Sequence, residues 1–151
     1  MPRFNHLALS VPPGELEGMR ADLEKFYGGV LGAQLFDYNS GRLHYLIISF
    51  DEDFPSQSLV IGEDKNYMQS PGFDHIGLEY DTYAEVHDII ERCKEFKKGD
   101  DRMEIIELAE LKDERFDSQA VYLRYLLPIM LDVQALKWHP GEAPKKQWEY
   151  R

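Results

Sequence analysis

A single cysteine, Cys93, stands in a chain of 151 residues. One thiol excludes an intrachain disulfide and a cysteine-cluster zinc site. No stretch approaches the roughly 20 apolar residues a membrane span needs. Met1-Pro2-Arg3 leads into a strand pattern without the apolar run of a secretory signal, so a soluble, cytoplasmic protein is expected. Basic residues are scarce: 17 Lys and Arg against 28 Asp and Glu give a net charge of −11. Neither nucleic acid nor an anionic membrane surface is therefore expected as a partner, since both select basic patches. Also missing are a glycine-rich phosphate loop, a Ser-His-Asp signature and the context of a cysteine nucleophile. What remains is one globular domain long enough to bury a core.

What the chain does contain is a pattern stated twice. Asn5-His6-Leu7-Ala8-Leu9-Ser10-Val11 returns as Asp74-His75-Ile76-Gly77-Leu78-Glu79-Tyr80, 69 residues later. Side chains alternate between the faces of a strand. His6, Ala8 and Ser10 thus share one face, and Leu7, Leu9 and Val11 the other. His75, Gly77 and Glu79 repeat that split against Ile76, Leu78 and Tyr80. Each copy has an apolar face suited to packing under a helix and a face of little bulk carrying a histidine, as a cavity wall would.

The elements between follow the same repeat. After Pro12-Pro13-Gly14 the apolar positions Leu16, Met19, Leu23, Phe26 or Tyr27, and Val30 step by three and four, predicting a helix to about Leu31. Short strands are predicted over Ala33–Tyr38, Leu43–Phe50 and Gln57–Ile61, the last two joined by an acidic connection from Asp51 to Pro55. A polar linker, Asp64–Gly72, leads to the second histidine strand. Thr82 and Glu85 have capping-box spacing ahead of a helix whose stripe is Val86, Ile89 or Ile90, Cys93 and Phe96, which makes Cys93 a core residue. Met103–Leu111 is read as a strand or a short helix and Lys112–Ser118 as a charged loop. Ala120–Leu127 and Ile129–Leu136 are read as two strands meeting near Pro128. The domain thus divides into module one (about 4–63), module two (about 73–137) and a tail (138–151).

Two tandem βαβββ modules, each opening on a histidine strand, resemble the vicinal oxygen chelate superfamily of glyoxalase I, bleomycin- and fosfomycin-resistance proteins and extradiol dioxygenases. The segment Leu23 to Gln34, with Phe26-Tyr27 and Val30-Leu31-Gly32, resembles that family's "FY..vLG" helix end. The resemblance implies an α+β fold whose curled mixed sheets enclose a divalent metal ion (Fe, Zn, Ni, Co or Mn) and, in many members, a homodimer. It places metal ligands at His6, His75 and Asp132, the last where the family usually has glutamate. The residues agree independently: Asp132 shares a strand face with Met130 and Gln134, and a carboxylate on an otherwise apolar strand needs a partner.

The fourth position divides the subclasses. Gln57, 51 residues after His6 and 18 before His75, resembles the glyoxalase and epimerase pattern. Glu63 is a rival, as the equivalent of Asp132 at an offset of 69, and also a proton-shuttling candidate beside Glu79. Tyr122, ten residues before Asp132, fits the tyrosine of extradiol enzymes, but their acid histidine is missing unless His44 takes that role. Arg124 shares a strand face with Tyr122, and His44 and Arg124 are candidates for contact with a small-molecule substrate. Three readings follow: a metal-dependent lyase or isomerase, an Fe(II) ring-cleaving dioxygenase, and a metal-free drug-binding protein.

Overall fold

Each histidine strand becomes the edge of its own sheet. The computed structural model describes residues 4–51 and 56–145. There β1 (His6–Val11) pairs in parallel with β4 (Ser58–Glu63). Strands β3 (Leu43–Ser49) and β2 (Gln34–Ser40) extend that sheet in the order β1-β4-β3-β2. In the second module β5 (His75–Tyr80) pairs in parallel with β9 (Met130–Trp138), followed by β8 (Phe116–Arg124) and β6 (Glu104–Glu107). A two-residue β7 (Leu111–Lys112) pairs with β8 alone. One long segment of helix follows each opening strand, α1 (Leu16–Leu23) and α2 (Tyr83–Gly99). The result is the expected pair of βαβββ modules, with both sheets open. Most of the acidic connection (52–55) and the last residues of the tail (146–151) lie outside the described residues.

Alternation decides what each sheet buries. Leu9, Val11, Leu59, Ile61, Leu46 and Ile48 are all buried on one side of the first sheet. Val121, Leu123, Leu131 and Val133 do the same in the second. These sides carry the helices, and both join one core. His6 and His75 therefore stand on the faces away from the helices.

Helix α1 is shorter than its apolar stripe predicts. After Leu23 the chain widens into a π-turn over Glu24–Gly28, with Gly29 N–H donating five residues back to the Glu24 carbonyl (3.1 Å). The extra residue in the turn brings both Phe26 and Tyr27 inside, at 0% and 1% exposure, where a regular helix would turn one of them outward. A Cβ on Gly29 would lie 2.5 Å from the Lys25 carbonyl oxygen, so this turn requires glycine.

The aromatic residues so placed join the modules. Phe26 lies 5.0 Å from Tyr125 and 5.4 Å from Phe96, and the Tyr27 hydroxyl donates to the Tyr125 carbonyl (3.1 Å). Beside them Arg102 bridges Asp22 of module one and Asp100 of module two, and Tyr125 OH donates to Asp100 (2.6 Å). Hydrogen bonds from Arg102, then Tyr125, hold the Asp100 carboxyl well below its usual range.

Module two follows the sequence more closely. The Thr82–Glu85 capping box is formed, and Cys93 is buried in the core, its thiol pushed up to about 12 by that burial. The expected strand 103–111 is broken into β6 and β7. The expected loop 112–118 contracts to a tight turn, because Phe116 packs on Trp138 (5.2 Å) and extends β8. His139 closes that hairpin: Nδ1–H donates to the Glu114 carbonyl (3.1 Å), with Nε2 3.3 Å from Asp117.

Candidate metal centre

The second sheet brings together His75, Asp132 and Tyr122. In register, Gly77 lies opposite Asp132 on β9, and Asp132 lies opposite Tyr122 on β8. The His75 Nδ1 is 2.7 Å from the Phe73 carbonyl. A carbonyl oxygen only accepts, so Nδ1 carries the hydrogen and a neutral ring presents its lone pair at Nε2. That Nε2 sits 3.7 Å from Asp132 Oδ2. The ring stacks on Tyr122 (centroids 4.9 Å, 28° between planes), and Tyr122 also touches Phe73 (5.9 Å). Stacking and the carbonyl bond together hold the imidazole in one orientation.

Asp132 is 8% exposed, and its Oδ1 is buried without a hydrogen-bond partner. Burial pushes its carboxyl above the ordinary value, and His75 opposes that shift. His75 Nε2 and Asp132 Oδ2 face each other beyond hydrogen-bond length, and the other oxygen of that carboxylate has no hydrogen-bond partner among the described residues. Imidazole and carboxylate are ligands of divalent transition metals, with bonds near 2.0–2.2 Å. His75 and Asp132 therefore fit a divalent ion.

The third expected ligand stands apart. His6 is exposed at the start of β1, with Nδ1 2.8 Å from Asn5 Oδ1. Among the described residues no three His, Cys, Asp or Glu side chains gather closely enough to hold one ion.

The ladders correct the numbering of the repeat. His6 lies opposite Ser58, and His75 opposite Met130, so the last strands of the modules are related by 72 residues rather than 69. Val60, not Glu63, stands where module two has Asp132. Glu63 lies on the helix side of its sheet, where Oε1 accepts the Leu16 backbone N–H (2.8 Å). Bonds from the Gly14 and Leu16 backbones hold its carboxyl below the ordinary range. It caps α1 and is remote from the His6 face. The expected outcome for Glu63→Gln is a loss of about 0.5–1 kcal/mol in urea unfolding, with metal uptake unchanged. Because its folded pKa is lowered, that contribution is full above the unfolded value near 4.5 and is lost as pH falls through the folded value.

His44 is also corrected as a cavity residue. It shares strand parity with Leu46 and Ile48 on the helix side, and its Nε2 meets Asp37 Oδ1 at 2.7 Å, exposed. Gln57 sits just before β4 with φ 51°, its carbonyl accepting Phe50 N–H (3.0 Å). It lines a cavity of about 640 Å³ with Phe4, Leu31, Phe50, Gly77 and Glu79, so it meets the edge of the second sheet. Arg124 remains on the Tyr122 face and donates from Nη2 to the Gly72 carbonyl (2.9 Å). The carbonyl of Phe73 is the orienting group that the sequence does not signal, since any residue supplies one.

No family model matches the chain, and no curated protein matches it. Solved structures do. The genomically encoded fosfomycin resistance protein FosX from Listeria monocytogenes superposes with a TM-score of 0.58 at 16% identity, covering 88% of this chain and 90% of its own. A glyoxylase/bleomycin resistance protein/dioxygenase domain from Frankia sp. EAN1pec gives 0.57 at 14% identity, covering 93% and 95%. A possible glyoxalase from Bacillus cereus gives 0.54 at 19% identity, covering 87% and 96%. The chain shares the paired βαβββ fold of these structures, the fold that the resemblance of its sequence implied.

Proposed function

We propose that this chain is a divalent-metal enzyme that moves a proton on a small substrate with vicinal oxygens, a lyase or isomerase in type. The observation that carries the reading is the His75 Nε2–Asp132 Oδ2 pair at 3.7 Å with Asp132 Oδ1 orphaned. FosX from Listeria monocytogenes has been solved with Mn(II), on the same fold. A divalent ion held there supplies electrostatic stabilisation to substrate oxygens as negative charge develops. Tyr122 orients His75 by stacking. Glu79, exposed on the same strand face with only Gly77 between it and His75, is the carboxylate placed to take or return a proton. Gln57 meets Glu79 in the 640 Å³ cavity, a size suited to a small ligand.

His6 completes the ligand set from a second copy of the chain. Its exposure on the free edge of β1 supports this, as do Phe36 and Tyr38, 37% and 48% exposed on the open face of the first sheet. Ring cleavage is the second reading, favoured by Tyr122 lying opposite Asp132 and against His75.

Elemental analysis of chelator-free protein tests the reading. About one ion per chain is expected, lost in His75→Ala. Stoichiometric iron with oxygen-dependent turnover of catechols would move the assignment to the dioxygenase. A metal-free wild type that cannot be reconstituted would sink the metalloenzyme and leave a small-molecule binder. Mixing unfolded His6→Ala and His75→Ala chains and refolding them together separates the two sources of His6. Restored metal uptake requires sharing between chains, and no restoration would overturn the supply of His6 by a second copy.

A further inference from the structure

A second pocket, of about 260 Å³, lies where the modules meet: the end of β1, the start of α1, the linker 67–70 and the β8–β9 turn each give a wall. Its cation is Arg124. Arg20, Arg92, Arg102 and Arg115 each pair with a carboxylate, and Arg42 is exposed in a turn. Arg124 is half-buried and has no carboxylate partner among the described residues, and its Nε is sealed from water without a hydrogen bond. Of five guanidinium donors, one is used, on the Gly72 carbonyl. That no carboxylate among the described residues answers this guanidinium is notable in a chain of net charge −11 with carboxylates to spare.

Met19, Met68 and Leu126 give the pocket an apolar side, while Ser10, Gln69 and Ser70 add uncharged polar groups to its lining. Leu126 is held at φ 58°, a left-handed conformation a non-glycine residue adopts at a cost. Glu15, exposed at the rim, repels a second negative charge. We propose that this pocket binds a small organic monocarboxylate, its anion on Arg124 and its apolar body against Met19, Met68 and Leu126. Carboxylate and guanidinium match in plane and charge, and the volume suits a single ring with a short acid arm.

Phenylacetate titrated into the full chain, followed by two-dimensional amide and arginine Nε–H NMR, tests this. Saturable shifts are expected at Ser10, Met68, Leu126 and Arg124. Arg124→Met is expected to weaken binding at least about tenfold. Met19→Trp, which fills the pocket from the opposite wall, is expected to abolish it even if Arg124→Met misfolds. Phenylethylammonium should not bind. The proposal is overturned by no saturable shift in the wild type, by unchanged binding in both variants, or by equal binding of phenylethylammonium. Inorganic phosphate binding as tightly as phenylacetate would also overturn it, leaving only a bare anion contact. Phenylacetate binding should persist in His75→Ala, so failure of the metal reading and failure of this one are separable.

Discussion

Asp132→Asn is expected to raise the stability of the metal-free protein while abolishing its stabilisation by metal. Asp132 is 8% exposed, its Oδ2 stands 3.7 Å from His75 Nε2, beyond hydrogen-bond length, and its Oδ1 is unpartnered. Removing one buried, unsatisfied charge while keeping the shape gains about 1 kcal/mol, or roughly 3 °C in Tm for a chain this long. The wild type should gain Tm on adding Mn(II) or Zn(II), by an amount that grows with free metal; the variant should gain none. Thermal melts with and without metal decide it. A variant less stable than the wild type in chelator would mean that the carboxylate has a structural partner, and an unchanged response to metal would remove Asp132 from the ligand set.

The second large effect is on stability. Phe26→Ala should cost about 3–5 kcal/mol, the usual range for removing a fully buried aromatic ring. Phe26 is 0% exposed and packs on Tyr27, Phe96 and Tyr125 at once. Those contacts join the π-turn after α1 to α2 and to the end of β8, so the loss should be felt by both modules together. Urea unfolding monitored by circular dichroism and by tryptophan fluorescence should shift as one transition. A cost under about 1 kcal/mol, small beside the range for such rings, or two separated transitions would show that the modules are stabilised independently. Phe26→Leu, which keeps most of the volume, should recover most of the loss.

Much of this was legible in the residues. Alternation told which side chains share a face, because a strand puts successive residues on opposite sides whatever surrounds it. The same rule put Asp132 beside Met130 and Gln134, and Arg124 beside Tyr122. The repeat of a histidine strand, an amphipathic helix and three strands exposed the modular fold. Capping at Thr82 and burial of Cys93 were equally local. The π-turn was not, because it forms to bury both Phe26 and Tyr27 against Phe96 and Tyr125, residues distant in sequence.

The sequence by itself determined the faces, the modules and the order of the elements, all consequences of local periodicity. Only the tertiary structure decided which residues meet. A constant offset of 69 pairs Glu63 with Asp132, yet module two carries three more residues between its paired strands, and the ladder puts Val60 there instead. Glu63 and His44 went to the helix side, one capping α1 and the other bonded to Asp37. Register is set by long-range packing of two buried sheets, and no local pattern encodes a three-residue difference accumulated across a helix and its loops.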